Sequence, residues 1–207
     1  MKFWLFDILA CPIDKYYPLS LYIFSYQTKP EEIDTFINDY IKRDSNIIKK
    51  DKMIYLEKND NEILIKDDII LEKNPVDKYL QLFRNSINEF NNVYDKSPND
   101  LLKPYLKMIK SEIKQAINNV LESGKPEKIY DILPELFFLN RVKLNIEIET
   151  GILFCPNCKR WFPIIETIPQ MLPDEFRKEE EEVKFLKRIR NLLDDEFFKQ
   201  ELKPFNI

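Results

Sequence analysis

Residues 152–172 read ILFCPNCKRWFPIIETIPQML, and this stretch decides the architecture. An apolar run ending at Phe154 leads straight into Cys155-Pro156-Asn157-Cys158, and a second apolar run opens at Trp161. Two cysteines separated by two residues, in a tight turn between strands, can present both thiolates to one metal ion while the strands hold the turn. Pro163, Pro169 and Pro173 exclude helix beyond the turn and favour extended, turn-punctuated chain. The dense apolar segment serves the core, a partner, or both, because its prolines leave backbone groups unpaired and side chains exposed.

Just upstream, LNIEIE at 144–149 alternates strictly, Thr150-Gly151 can turn the chain, and ILFC returns as a second strand. Downstream, Pro173 to Lys203 reads as one amphipathic helix, with Phe176, Val183, Leu186, Ile189, Leu193 and Phe197 on one side. The acidic run Glu179 to Glu182 suits the start of such a helix. At the opposite end, Lys2 to Leu9 reads as a short buried helix stopped by Cys11-Pro12, and Pro18 to Tyr26 as a strand.

The middle of the chain is mostly helical in pattern. Residues 30–43 carry Pro30 and two glutamates in their first turn and an apolar face of Ile33, Phe36, Ile37, Tyr40 and Ile41. MIYLE and EILIK form a hairpin around a turn at Lys58 to Asn61. A helix over 76–94 places Val76, Tyr79, Leu80, Phe83, Ile87, Phe90 and Tyr94 on one face. Another starts near Asn99 or Asp100, keeps Pro104 in its first turn and stops at Gly124. The expected fold is therefore α+β: a small β domain from both chain ends (1–28 and 141–173), a large helical insertion (29–140), and a C-terminal helical extension (174–207).

The cysteine turn has a counterpart. Cys11-Pro12 also precedes a strand, so two turns from opposite ends of the chain could converge on one ion. Where a second cysteine would complete the first turn, the sequence has Asp14, and aspartate can ligate zinc. Cys11, Asp14, Cys155 and Cys158 thus form a chemically possible four-coordinate zinc site. Two plainer readings stand beside it: the cysteines are small packing residues without metal, or Cys155 and Cys158 pair reversibly. A catalytic zinc lacks an accompanying general base, and a thioredoxin-like redox pair lacks its βαβ context.

Composition narrows the function classes. With only 2 glycines and no histidine in 207 residues, the chain has no P-loop, no dinucleotide fingerprint, no histidine-dependent nucleophile and no histidine-ligated hydrolase site. The 32 basic residues are outnumbered by 36 acidic ones, and the net charge of -4 disfavours free-standing nucleic-acid binding. Residues 1–12, MKFWLFDILACP, are apolar but interrupted by Asp7 and far too short to span a bilayer. Three cysteines, an odd number, suit a reducing compartment, and the expected location is cytoplasmic.

MKF and Cys11-Pro12 at the start, with LFCPNC, FPI and IPQML near the end, resemble the multifunctional methyltransferase subunit (Trm-one-twelve) family of archaea and eukaryotes, a family of zinc-ribbon activator subunits. The resemblance covers roughly residues 1–25 and 141–173. It implies a noncatalytic subunit that forms a heterodimer with, and stabilises, S-adenosylmethionine-dependent methyltransferases acting on tRNA, rRNA and a translation release factor. It implies no S-adenosylmethionine site in this chain, RNA met only through the partner, and no membrane. By motif, Cys11, Cys155 and Cys158 match metal-ligand positions, and Phe162, Pro163, Ile164, Ile168, Pro169, Met171 and Leu172 match the segment near the partner. Asp14 departs from the family's cysteine. The competing readings are a zinc-ribbon RNA-binding or transcription-associated module and an independent redox or hydrolytic enzyme.

Overall fold

A computed structural model describes residues 1–43, 53–59, 62–98 and 101–207. In chain order they form α1 (Phe3–Phe6), β1 (Ser20–Tyr26), α2 (Pro30–Lys42), β2 (Ile54–Lys58), β3 (Ile63–Asp67) and β4 (Asn74–Pro75). Then follow α3 (Val76–Glu89), β5 (Val93–Asp95), α4 (Lys103–Met108), a π-helical turn over Ile109–Ile113, α5 (Lys114–Ser123) and α6 (Leu133–Asn145). The last elements are β6 (Ile148–Phe154), β7 (Trp161–Ile165), β8 (Ile168–Pro169), α7 (Glu179–Ile189) and α8 (Asp195–Phe198). The class is α+β, with two separate sheets.

Two compact units divide the chain: Met1–Thr28 with Asn92–Lys103 and Glu147–Ile207, and Lys29–Asn91 with Pro104–Ile146. The seams differ from those read in the sequence in three places, the first being that residues 174–207 belong to the unit of the chain ends and do not stand apart. Residues 92–103 return to the unit of the chain ends, and the second seam falls at 146/147 instead of 140/141, because α6 runs on to Asn145. The strand expected from Leu144 accordingly begins at Ile148, although the burial alternation of IEIE is real from Ile146 onward.

The first unit is built on a five-stranded sheet in the order β5-β1-β6-β7-β8. Leu21, Leu153 and Phe162 lie side by side on one face, and Tyr22, Ile152 and Pro163 on the other. β5 is a correction to the sequence reading, which carries a helix through Tyr94. The helix ends at Glu89, and Val93–Asp95 pairs parallel to β1 instead. Val93 lies opposite Leu21, and Tyr94 stacks on Tyr22 at 4.9 Å between ring centres, contacts that outweigh the weak helix preference of Asn91-Asn92-Val93.

Thr150-Gly151 is also not a turn. Both residues lie within the continuous strand β6, and a Cβ on Gly151 would meet the Tyr22 carbonyl oxygen at 2.6 Å. The glycine is required by close strand approach beside a β1 irregularity, not by chain reversal.

The tail is a further correction. It breaks into α7, a 3₁₀ turn over Arg190–Leu192 and α8, and Phe176 is exposed instead of facing a core. A single helix over 173–203 would run about 46 Å, roughly twice the length of a seven-residue strand. Breaking it folds Phe185, Leu186, Ile189, Phe197, Phe198 and Leu202 back onto Phe24, Ile152, Phe154 and Trp161 in one apolar cluster. Trp161 stacks on Phe185 and donates its indole N–H to the Phe205 carbonyl at 3.0 Å. Burying each such aromatic contributes about 2–3 kcal/mol, so the tail is part of the sheet's core.

The second unit contains the sheet β2-β3-β4 with α2, α3, α5 and α6. The hairpin strands are those expected, while part of their turn, residues 60–61, lies outside the described residues, as do Asn99 and Asp100. Pro104 stands in the first turn of α4, and Gly124 ends α5 in the left-handed conformation at φ 61°. Buried Asp67 organises the interior: it accepts from the Ile69 and Ile70 N–H groups, from Tyr79 Oη at 2.6 Å and from Asn140 Nδ2 at 3.2 Å. A buried carboxylate satisfied by four donors is tolerated because its lost hydration is replaced.

Candidate functional site

Two turns with the same backbone meet in the first unit. The Cys11 N–H donates to the Tyr16 carbonyl at 3.0 Å, and the Lys15 N–H donates to the Cys11 carbonyl at 3.0 Å. In the second turn, the Cys155 N–H donates to the Arg160 carbonyl at 2.8 Å and the Lys159 N–H to the Cys155 carbonyl at 3.0 Å. Lys15 and Lys159 occupy the left-handed region at φ 62° and 61°. Each Cys-Pro-x-x-Lys segment therefore folds into the same loop, with proline fixing the entry and lysine taking the conformation that glycine usually supplies.

The side chains converge. Cys11 Sγ lies 3.6 Å from Cys158 Sγ, and Cys155 Sγ lies 3.6 Å from each carboxylate oxygen of Asp14. All four donor atoms fall within 4.8 Å of one another. A tetrahedral zinc ion with bonds of about 2.3 Å to sulfur and about 2.1 Å to oxygen places its ligands about 3.5–3.8 Å apart, so the donor set and spacing fit. Cys11 and Cys155, the first residues of their turns, are buried, whereas Asp14 and Cys158 are half-buried.

Electrostatics follow from this arrangement. Burial pushes the Cys11 thiol up to about 12 and raises Cys155 as well. The Asp14 carboxyl is held well below the usual carboxylate range, first by a hydrogen bond from Cys11 and next by one from Asn157. At neutral pH the metal-free cluster carries an ionised carboxylate beside protonated buried thiols. A metal must displace those thiol protons, so its binding tightens as pH rises.

The expected partner-facing residues separate into two sets. Phe162, Pro163 and Ile164 are buried in the chain itself, and Pro169 and Met171 are partly covered. Ile168 is 59 % exposed and Leu172 42 % exposed, joined by Ile165 and Phe176, which the sequence reading did not place on a partner face. Neither is signalled by the sequence: period 2 puts Ile165 on the face of buried Trp161 and Pro163, and a helical reading puts Phe176 inside. The exposed set lies on and beside β8, a two-residue strand at the sheet's edge.

Asn157 is the other residue that sequence reasoning missed. Its Nδ2 donates to Asp14 Oδ2 at 2.7 Å across 143 residues of chain, and nothing local in CPNC announces that contact.

A β unit closed by paired cysteine turns and carrying an inserted second unit is thus the class of protein defined by these residues. The Trm112p-like protein family matches residues 2–166, most of the chain, and the protein belongs to it. That membership points to a methyltransferase activator subunit. No curated protein and no solved structure matches the chain. No helix among the described residues is long and apolar enough to cross a membrane.

Proposed function

We propose that the protein is a noncatalytic subunit that binds and stabilises S-adenosylmethionine-dependent methyltransferases of the translation apparatus, those modifying tRNA, rRNA or a release factor, in the cytoplasm. The observation that carries this reading, together with family membership, is the exposed apolar strip Ile165, Ile168, Leu172 and Phe176 beside the edge strand β8. β8 itself offers little backbone pairing, since Pro169 has no N–H and its carbonyl accepts from the Met171 N–H at 3.1 Å, so it is the exposed apolar side chains around it that give a partner area to bury. Burial of that strip favours the folded partner by mass action and requires no chemistry from this chain.

Under the same reading, Cys11, Asp14, Cys155 and Cys158 hold a structural zinc ion. When bound, the ion would cross-link two turns that lie 147 residues apart between Cys11 and Cys158. The cross-link would hold β1, β6 and β7 in register and so fix the edge that the partner meets.

Affinity capture of the full chain from native extract tests the function: a methyltransferase subunit is the expected product, and its absence overturns the reading. Replacing exposed Ile168 with Asp should weaken that capture by about 2–5 kcal/mol, since an unpaired charge would be buried at the interface, while leaving the free chain folded. Salt-sensitive RNA binding by the isolated chain would favour an RNA-binding module instead.

A further inference from the structure

We propose that Asn157 is a positioning residue that makes Asp14 an effective fourth metal donor. This rests on the reading that the four-residue cluster holds a metal.

The argument starts from the difference between the two donors. A cysteine sulfur is a single, nearly spherical donor, and it binds correctly once its Cβ is placed. A carboxylate has two oxygens and a rotatable bond, so its plane must be fixed and the lone pairs that do not face the ion must be satisfied. At Asp14 both requirements are met by named groups. The Tyr16 N–H donates to Oδ1 at 3.1 Å, and Asn157 Nδ2 donates to Oδ2 at 2.7 Å. With its two oxygens so held, the carboxylate presents both to Cys155 Sγ at 3.6 Å.

Asn157 reaches Asp14 from the opposite turn, so the bond also ties one half of the ligand set to the other. A neutral amide suits the task, because a lysine or arginine there would neutralise the carboxylate and compete with the ion for it. The equivalent position of the first turn is Ile13, which has no polar group to offer, and the matching ligand Cys158 has Arg160 of its own turn as a side-chain hydrogen-bond partner instead. The carboxylate donor and its amide partner therefore occur as a matched pair across the two turns.

The test compares Asn157→Ala in two backgrounds, wild type and Asp14→Cys, using the full reduced chain. Zinc affinity is read by chelator competition and ligand geometry by the visible absorption of the cobalt(II)-loaded protein. In the wild-type background Asn157→Ala should weaken zinc binding about 10- to 100-fold and alter the cobalt spectrum, the usual effect of removing a residue that orients a metal ligand. In the Asp14→Cys background the same substitution should change affinity by no more than about twofold, as expected for independent groups. Unchanged zinc affinity and cobalt spectrum in the wild-type background overturn the proposal. An equal loss in both backgrounds also overturns it, because Asn157 would then act on the turn and not through Asp14. A wild-type chain that takes up neither ion overturns the metal reading and this proposal together, while leaving methyltransferase capture as a separate result.

Discussion

The two turns at the centre of the first unit share a backbone and differ in their side chains. Both begin with a buried cysteine followed by proline, and both place a lysine near φ 60° to close the loop. They differ at the fourth position, Asp14 against Cys158, and at the third, Ile13 against Asn157. The difference teaches that the loop is specified by Cys-Pro at its entry and the left-handed lysine at its exit, not by the identity of the outer ligand. It also shows where a carboxylate is affordable. Asp14 stands at a half-buried outer position, where hydration and the Asn157 amide satisfy it, whereas Cys11 and Cys155 stand where an ion would be stripped of water.

The largest expected effect breaks that inner-outer contrast directly. With metal chelated, Cys155→Asp should destabilise the protein by about 3–5 kcal/mol, because an uncompensated charge is buried, and Cys158→Asp by much less. Urea midpoints of the two variants decide it, and equal losses would show that depth is not what separates the positions.

Next in size is restoring symmetry. Asp14→Cys should tighten zinc at least about tenfold, since thiolate is the softer ligand, with chelator competition as the measurement.

Smaller still are the loop exits. Lys15→Gly and Lys159→Gly should each stabilise by about 0.5–1 kcal/mol, the left-handed strain relieved less the added freedom of the unfolded chain. Thermal unfolding should show equal gains, and a gain at one turn only would mean the loops are not equivalent.

The smallest effect tests an asymmetry. Arg160, which follows the second turn, pairs with Asp174 at 2.8 Å, while the first turn has Tyr16 at the matching place. The Arg160 hydrogen bond lowers the Asp174 pKa, so the pair stabilises the fold above the normal carboxylate pKa of about 4 and the benefit disappears as pH falls through the lower folded value. Asp174→Asn should therefore cost no more than about 1 kcal/mol at neutral pH, solvent screening included, and nothing in strong acid. A loss that persists in acid would assign Asp174 a role other than this ion pair.

Much of this arrangement was legible residue by residue. CPNC between two apolar runs and the distant CPID could be matched as turns because their spacing is a local property, and Asp14 could be named as the substitute ligand. Helix α2, the β2-β3 strands and the Gly124 stop follow from periodicity and caps that act within a few residues. The misread elements share a different cause. Val93–Asp95, Gly151 and the broken tail are each decided by a neighbour far away in sequence: Leu21 and Tyr22 for the first, the Tyr22 carbonyl for the second, and Trp161 and Phe154 for the third.

By itself, then, the sequence determined the α+β class, the two cysteine turns and the four candidate ligands, because turn chemistry and periodicity act over short spans of chain. Only the tertiary structure decided that the tail completes the core of the first unit, that Ile165 and Phe176 are exposed while Phe162 and Ile164 are buried, and that Asn157 holds Asp14. Those outcomes depend on which surfaces meet after the chain has closed on itself, and no local pattern encodes a contact 143 residues away.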